Sequence, residues 1–242
     1  MPTVQGTDNF NHGNFAVPGG GPYRGVEGAP VKDTGVVHSP EVASLLIEAT
    51  TTFENVQYQI TGLPTLGWLG FWFRQNTADE IGNFILGKFF PTAGGAGEIA
   101  YLASSNQIYQ HIAGSSTFPG LTISLDTWVW IESIFDVSGA TRRMRTRVGG
   151  VDLTAEDFAI AASTVSHLGI GNMSADSAKC RFSNAKWGTA ASLTDWLGEP
   201  SGLTLDSCLP DADVVTTGWS TAPLFSKVND ASDATVIQAT AS

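Results

Sequence analysis

From residue 42 onward the apolar positions recur at every second residue. Val56-Gln-Tyr-Gln-Ile and Gln107-Ile-Tyr-Gln-His-Ile alternate in this way, the spacing that sends successive side chains to opposite faces of a strand. Leu45-Leu-Ile-Glu-Ala, Phe84-Ile-Leu-Gly-Lys-Phe-Phe, Ile99-Ala-Tyr-Leu-Ala and Leu121-Thr-Ile-Ser-Leu are further short runs with strand composition. Trp68-Leu-Gly-Phe-Trp-Phe-Arg is apolar on both faces, as a central strand is. Its Leu69, Phe71 and Phe73 share one face; Trp68, Trp72 and Arg74 share the other. Turn signals such as Gly94-Gly-Ala-Gly separate runs about ten residues apart, the pattern of an antiparallel sandwich or barrel.

Outside this block the pattern lapses. Residues 1–41 hold Gly19-Gly-Gly-Pro and further breakers at Pro2, Gly6, Gly13, Pro18, Gly25, Gly28, Pro30 and Pro40. They read as an extended arm, either disordered or docked on a neighbour through Phe10, Phe15 and Tyr23. Residues 201–242 read as a second extension with isolated large apolar residues, Trp219, Leu224 and Phe225, and a last strand candidate at Ala234-Thr-Val-Ile-Gln-Ala. Ser192-Leu-Thr-Asp-Trp-Leu-Gly predicts one or two helical turns, stopped by Gly198 before Pro200. The expected division is therefore an arm at 1–41, a sandwich at 42–200 and an extension at 201–242.

Composition narrows the function classes. Charged residues are 14% of the 242, and 12 Lys+Arg against 23 Asp+Glu leave a net charge of −11. Nucleic acid as the main ligand is disfavoured, because phosphate binding draws on a basic surface. No apolar run approaches the roughly 18–20 residues that cross a bilayer, and the first residues lack the basic and apolar regions of a secretory leader. Cys180 and Cys208 are too few for a disulfide framework or a four-cysteine zinc site. They read as two buried thiols or as one bridge.

The search for chemistry finds little. There is no Gly-x-Ser-x-Gly elbow. His12, His38, His111 and His167 lack metal-ligand spacing and read as ordinary surface or core residues. Glycoside hydrolysis on a sandwich needs two carboxylates facing each other. The nearest candidate on one strand face is Glu132 with Asp136, and Ile134 between them breaks the ladder. No catalytic, cofactor or metal residue is assigned. Arg142-Arg-Met-Arg-Thr-Arg-Val places Met144, Thr146 and Val148 inward and Arg143, Arg145 and Arg147 outward. That arginine row is either a solvated face that discourages edge pairing or an interface with an acidic partner.

Six features in order over residues 56–199 carry a resemblance. They are Gly67-Trp-Leu-Gly-Phe-Trp-Phe-Arg, Phe84-Ile-Leu-Gly-Lys, Leu125-Asp-Thr-Trp-Val-Trp-Ile-Glu-Ser-Ile-Phe-Asp, Arg145-Thr-Arg-Val-Gly-Gly-Val, Leu168-Gly-Ile-Gly, and Phe182-Ser-Asn-Ala-Lys-Trp followed by Ser192-Leu-Thr-Asp-Trp. Together they resemble the laminin-G-like and pentraxin-like branch of the concanavalin A-like lectin/glucanase jelly rolls. The resemblance implies a two-sheet antiparallel β-sandwich with a concave face and ligand-capable rim loops. Leu209-Pro-Asp-Ala-Asp-Val-Val-Thr-Thr-Gly-Trp-Ser is similar to segments of tailed-phage structural proteins. The expectation drawn from both is a non-enzymatic virion component, on the capsid or on a fibre or tail surface. It would be made in the host cytoplasm, assembled with other virion proteins and copies of itself, and need no cofactor. Phe10, Phe15, Tyr23, Arg143, Arg145, Arg147, Trp219, Leu224 and Phe225 are its candidate interface. A carbohydrate-binding module for a host-surface glycan is the alternative, and a polysaccharide-degrading enzyme is a third.

Overall fold

The computed structural model describes residues 1–11, 15, 23–39, 41, 43–49, 53–78, 82–113, 120–174 and 176–199. Sixteen strands form among them: β1 (Thr3–Asp8), β2 (Tyr23–Glu27), β3 (Val31–Asp33), β4 (Ser44–Ala49), β5 (Glu54–Gln59), β6 (Leu66–Arg74), β7 (Phe84–Pro91), β8 (Gly97–Leu102), β9 (Gln107–Ile112), β10 (Leu121–Thr122), β11 (Val129–Asp136), β12 (Thr141–Val148), β13 (Val151–Asp152), β14 (Glu156–Ala159), β15 (Val165–Asn172) and β16 (Ala178–Thr189). One sheet runs β13-β12-β11-β6-β16-β4-β3, with β1 also on β16 and β14 also on β12. The other runs β10-β9-β8-β7-β15-β5-β2. Every pairing is antiparallel, so the expected two-sheet sandwich is the fold.

The alternation read from the sequence fixes which side chains meet between the sheets. Leu69, Phe71 and Phe73 of β6 join Ile131 and Phe135 of β11, Met144 and Val148 of β12, and Phe182 of β16. They pack on Phe84, Leu86 and Phe89 of β7, Ile99 and Tyr101 of β8, Ile108 and Ile112 of β9, and Leu168 and Ile170 of β15. Small residues let the sheets close: a Cβ on Gly97 would lie 2.8 Å from the Phe135 ring. Arg142 is the exception on the inner face of β12. It is fully buried and donates to the carbonyls of Ala93, Gly95 and Ala161, tying β12 to the β7–β8 turn.

Two expectations are corrected. The N-terminal residues are not an arm outside the sandwich. β1 pairs along β16 and β2 along β5, while Phe10, Phe15 and Tyr23 are buried in the shared core. The reason is a ring chain: Phe10 to Phe15 at 6.4 Å, Phe15 to Tyr23 at 5.9 Å, Tyr23 to Tyr58 at 5.7 Å, and Tyr58 stacked on Trp187 at 4.1 Å. Nor do residues 192–198 form a helix; no helix occurs among the described residues. The Asp195 carboxylate there accepts N–H bonds from Ala191 and Ser192, closing a local turn instead. The extension at 201–242, with Trp219, Leu224, Phe225 and Cys208, lies outside the described residues.

Candidate functional site

Each sheet has one outer face, and the two differ in what occupies them. On the nine-stranded sheet the outward side chains of β6 and β11 are Trp68, Trp72, Trp130 and Ile134, all buried. Leu193, Trp196 and Leu197 pack over them. His38 stacks on Trp72 at 3.8 Å, and Trp128 donates its indole N–H to the Val37 carbonyl. Glu132 is spent on structure here. Its carboxylate accepts N–H bonds from Leu197 at 2.9 Å and Gly198 at 3.1 Å, and the Trp68 indole N–H at 3.4 Å.

The three outward arginines of β12 lie on the same sheet. Arg143 pairs with Asp136 at 2.8 Å, Arg145 with Asp157 at 2.8 Å and Arg147 with Asp152 at 2.6 Å. The Arg147 guanidinium also lies 4.9 Å from the Trp196 ring centre. Cross-strand register explains two of the pairs directly, Asp136 standing opposite Arg143 and Asp152 opposite Arg147; Arg145 reaches Asp157 diagonally, because Asp157 stands opposite Arg143. The structure therefore places acidic partners for this row inside the chain. It separates the row from Phe10, Phe15 and Tyr23, which are core.

The outer face of the seven-stranded sheet carries a row of titratable side chains. On β9 the residues Ile108, Gln110 and Ile112 are buried, while Gln107, Tyr109 and His111 are half-buried on the opposite face. Register then sets a lateral row across five strands. His111 stands opposite Glu98, Glu98 opposite Lys88, Lys88 opposite Gly169, and Gly169 opposite Gln57. Within the row, Lys88 Nζ lies 2.6 Å from Glu98 Oε1, and His111 Nδ1 lies 2.9 Å from Glu98 Oε2.

Neighbouring rows frame it. Phe90 stands opposite His167, and their rings stack at 4.2 Å with an interplanar angle of 6°. Ser166 Oγ holds His167 Nδ1 at 2.8 Å, and Gln59 follows His167 on β5. On the other side Tyr109 faces Ala100. Ala100, Gly169 and Gly25 keep the floor low between these larger groups, with the Met173 methyl lying against Gly169.

Charge within the row is strongly polarised. Burial pushes the Glu98 carboxyl up, but the hydrogen bonds from His111 and Lys88 outweigh it and hold the group below the usual carboxylate range. The same bond to Glu98 raises His111 above the ordinary histidine value, against an opposing effect of burial. Burial, reinforced by the Glu98 charge, raises the Tyr109 phenol and keeps it protonated. Burial, with a contribution from the charge of Arg24, lowers His167 to about 4, so its ring is neutral. Glu98 is thus held ionised and Tyr109 and His167 neutral, while His111 is pushed toward its protonated form. With Nδ1–H donated to Glu98, a neutral His111 ring carries its lone pair on Nε2, the arrangement of a carboxylate-oriented general base.

Reading the sequence as isolated residues missed this set. His111 and His167 are half-buried, His111 held by Glu98 and His167 by Ser166 and Phe90. The alternation of 107–112 already placed Tyr109 and His111 on one face, and the turn at 94–97 opposes Lys88 to Glu98. Two-carboxylate hydrolysis is not what the row offers: Glu98 faces an ammonium and an imidazole, while Glu27 at the sheet edge accepts from the Asn55 amide.

No family model and no curated relative matches the chain. Solved structures do. Alginate lyase vAL-1 from Chlorella virus is similar over 78% of this chain and all of that one, at 13% identity and a TM-score of 0.54. Cellulose induced protein Cip1 is similar over 78% and 100%, at 14% identity and a TM-score of 0.55. A Trypanosoma rangeli sialidase in complex with 2,3-difluorosialic acid is similar over 60% of this chain, at 10% identity and a TM-score of 0.47. The chain spans about a quarter of that sialidase's length. At these identities the likeness is one of fold.

That likeness corrects the expectation of a non-enzymatic virion component. The antiparallel β-sandwich is similar in fold to that of an alginate lyase, so the fold gives no ground for excluding catalysis. The expectation of no catalytic residue rested on one broken acidic ladder, at Glu132, Ile134 and Asp136. That ladder lies on the covered sheet, away from the His111–Glu98–Lys88 row.

Proposed function

We propose that this chain is a glycan-active protein that binds an acidic polysaccharide across the outer face of the seven-stranded sheet and cleaves it by β-elimination. The observation that supports it is the His111–Glu98–Lys88 row beside Tyr109. Elimination from a uronate needs three services at adjacent points: a cation or donor on the carboxylate, a base for the proton on the carbon next to it, and an acid for the departing oxygen. Lys88 supplies the cation; Glu98 takes one of its three N–H donors. His111 Nε2 takes the proton as the carbon–hydrogen bond breaks. The glycosidic carbon–oxygen bond then breaks, Tyr109 protonates the leaving oxygen, and a carbon–carbon double bond forms. No water is consumed. The neutral Phe90–His167 stack offers an apolar wall for the neighbouring sugar ring. The lyase fold likeness agrees with this reading.

A panel of neutral and uronate-bearing polysaccharides tests it. The expected result is ultraviolet absorbance of an unsaturated uronate product from acidic polymers, with none from neutral ones. Binding without product removes the elimination step and leaves glycan recognition. Neither binding nor product removes the whole reading.

The pH profile has a fixed sign. The base works when His111 is neutral, and Glu98 raises its value. Activity is therefore absent in acid and rises with pH, through a limb above the ordinary histidine value of 6.5. Glu98→Gln is expected to move that limb to lower pH and to lower the plateau by roughly 100-fold or more, because the tautomer is no longer fixed. A limb that stays put under Glu98→Gln assigns the base elsewhere.

A further inference from the structure

We propose that residues 190–198 form a strap whose closure over the tryptophan face of the nine-stranded sheet is set by a proton on Glu132. The geometry is that of a clasp. Leu193, Trp196 and Leu197 cover Trp68, Trp72 and Trp130, and Ala190 N–H bonds to the Leu66 carbonyl at 3.3 Å where the strap begins. Near its end, both strap-to-sheet N–H bonds, from Leu197 and Gly198, converge on the Glu132 carboxylate. Glu132 is fully buried beneath them. Gly198 has φ of 83°, a left-handed conformation that glycine adopts without a Cβ penalty.

The groups that face Glu132 decide the sign. From β12, Arg147 stands opposite it, already engaged by Asp152 and lying against Trp196. From β6, Trp68 gives an indole N–H. From β16, Lys186 occupies the same lateral row beyond Gly70 and is attracted to Glu41. From the strap itself, Asp195 holds the N–H groups of Ala191 and Ser192 and lies 3.5 Å from the Met1 amine. Among the described residues no full countercharge sits on Glu132. Burial therefore outweighs the N–H bonds, the indole and Arg147, and raises its value above the ordinary 4.5.

A group whose value is raised in the closed state favours closure when protonated. Closure is then tightest in acid and weakens as pH rises from about 4.5 through the raised value. Each pH unit between the open and closed values is a tenfold change in the closing equilibrium. Asp195 has the opposite sign, since the Ala191 N–H bond lowers its value, and it serves as an internal control.

Hydrogen exchange on the full chain tests the strap, with protection of the 190–198 peptide corrected for the intrinsic rate. In the native chain protection is expected to fall severalfold or more as pH rises through this window, while peptides of β8 and β9 hold. Glu132→Gln keeps an acceptor without the charge. Its strap protection is expected to be independent of pH and at least as high as the native value at neutral pH. Glu132→Ala should lose protection at every pH, and Asp195→Asn should keep the native response. Native protection that does not change with pH overturns the proposal. So does Glu132→Gln that loses strap protection at neutral pH while the β8 and β9 peptides stay protected. If a variant loses β8 and β9 protection as well, it has unfolded, and the native pH series alone decides.

Discussion

Lys88→Met is expected to lower kcat/KM on a uronate-bearing polysaccharide by about 100-fold, a loss of about 2.7 kcal/mol of transition-state stabilisation. The ammonium is the group on this row that can meet the charge growing on the substrate carboxylate as the neighbouring proton leaves. Its side chain is largely covered and it lies 2.6 Å from Glu98, so its position is set before substrate arrives. The molecule as a whole opposes the ligand, with a net charge of −11. That opposition acts at long range and is screened beyond about 8 Å at physiological salt, whereas contact with Lys88 is not. Adding moderate salt should therefore help the native chain bind a polyanion and leave the Lys88→Met defect in place. Lys88→Arg should recover part of the rate, because it keeps the charge with a different donor geometry. Unchanged kcat/KM in Lys88→Met, with the melting temperature also unchanged, would remove Lys88 from the chemistry.

The row that supports this expectation was partly legible in the sequence. Period-two alternation separated the two faces of β6 and told inward from outward on β12. On β9 the same alternation placed Tyr109 and His111 together. What alternation cannot give is lateral neighbours. Lys88, Glu98, His111 and His167 come from four strands, and only register sets Glu98 between its two partners. A bulge between Ile85 and Gly87 shifts that register by one residue, and no local signal announces it. The acidic pair that attracted the search, Glu132 and Asp136, was on one face as expected. One acid binds the strap and the other pairs with Arg143, so strand position alone did not separate catalytic from structural acids.

The N-terminal misreading has a different cause, and it yields the largest expected effect on stability. Thr3-Val-Gln-Gly-Thr-Asp has weak strand composition and a glycine, so local propensity predicts nothing. Its strand exists because β16 is twelve residues long: residues 178–182 pair with β4, and the remaining edge, residues 185–189, pairs with β1. Gly6 is needed there, since a Cβ would lie 2.2 Å from the Trp187 ring. Beyond β1, Asp8 Oδ1 accepts the Phe10 N–H at 2.8 Å, and Asp8 Oδ2 accepts the Tyr58 hydroxyl at 3.1 Å. This turns the chain inward with Phe10 at φ of 59°, a left-handed conformation that the packed surroundings must hold.

Phe10→Ala removes a fully buried ring from that plug and is expected to cost about 3–5 kcal/mol. For a chain of this size the corresponding fall in melting temperature is roughly 6–20 °C. Phe10→Leu fills most of the space and should cost less than about 1.5 kcal/mol. The contrast with a docking arm is direct. An arm held by a partner would lose assembly on Phe10→Ala while the isolated sandwich kept its melting temperature. Thermal unfolding and sedimentation of the same variant separate the two. A melting temperature within about a degree of the native chain, together with lost association, would return Phe10 to an interface. A large fall without a change in association places it where its zero exposure does, inside the fold.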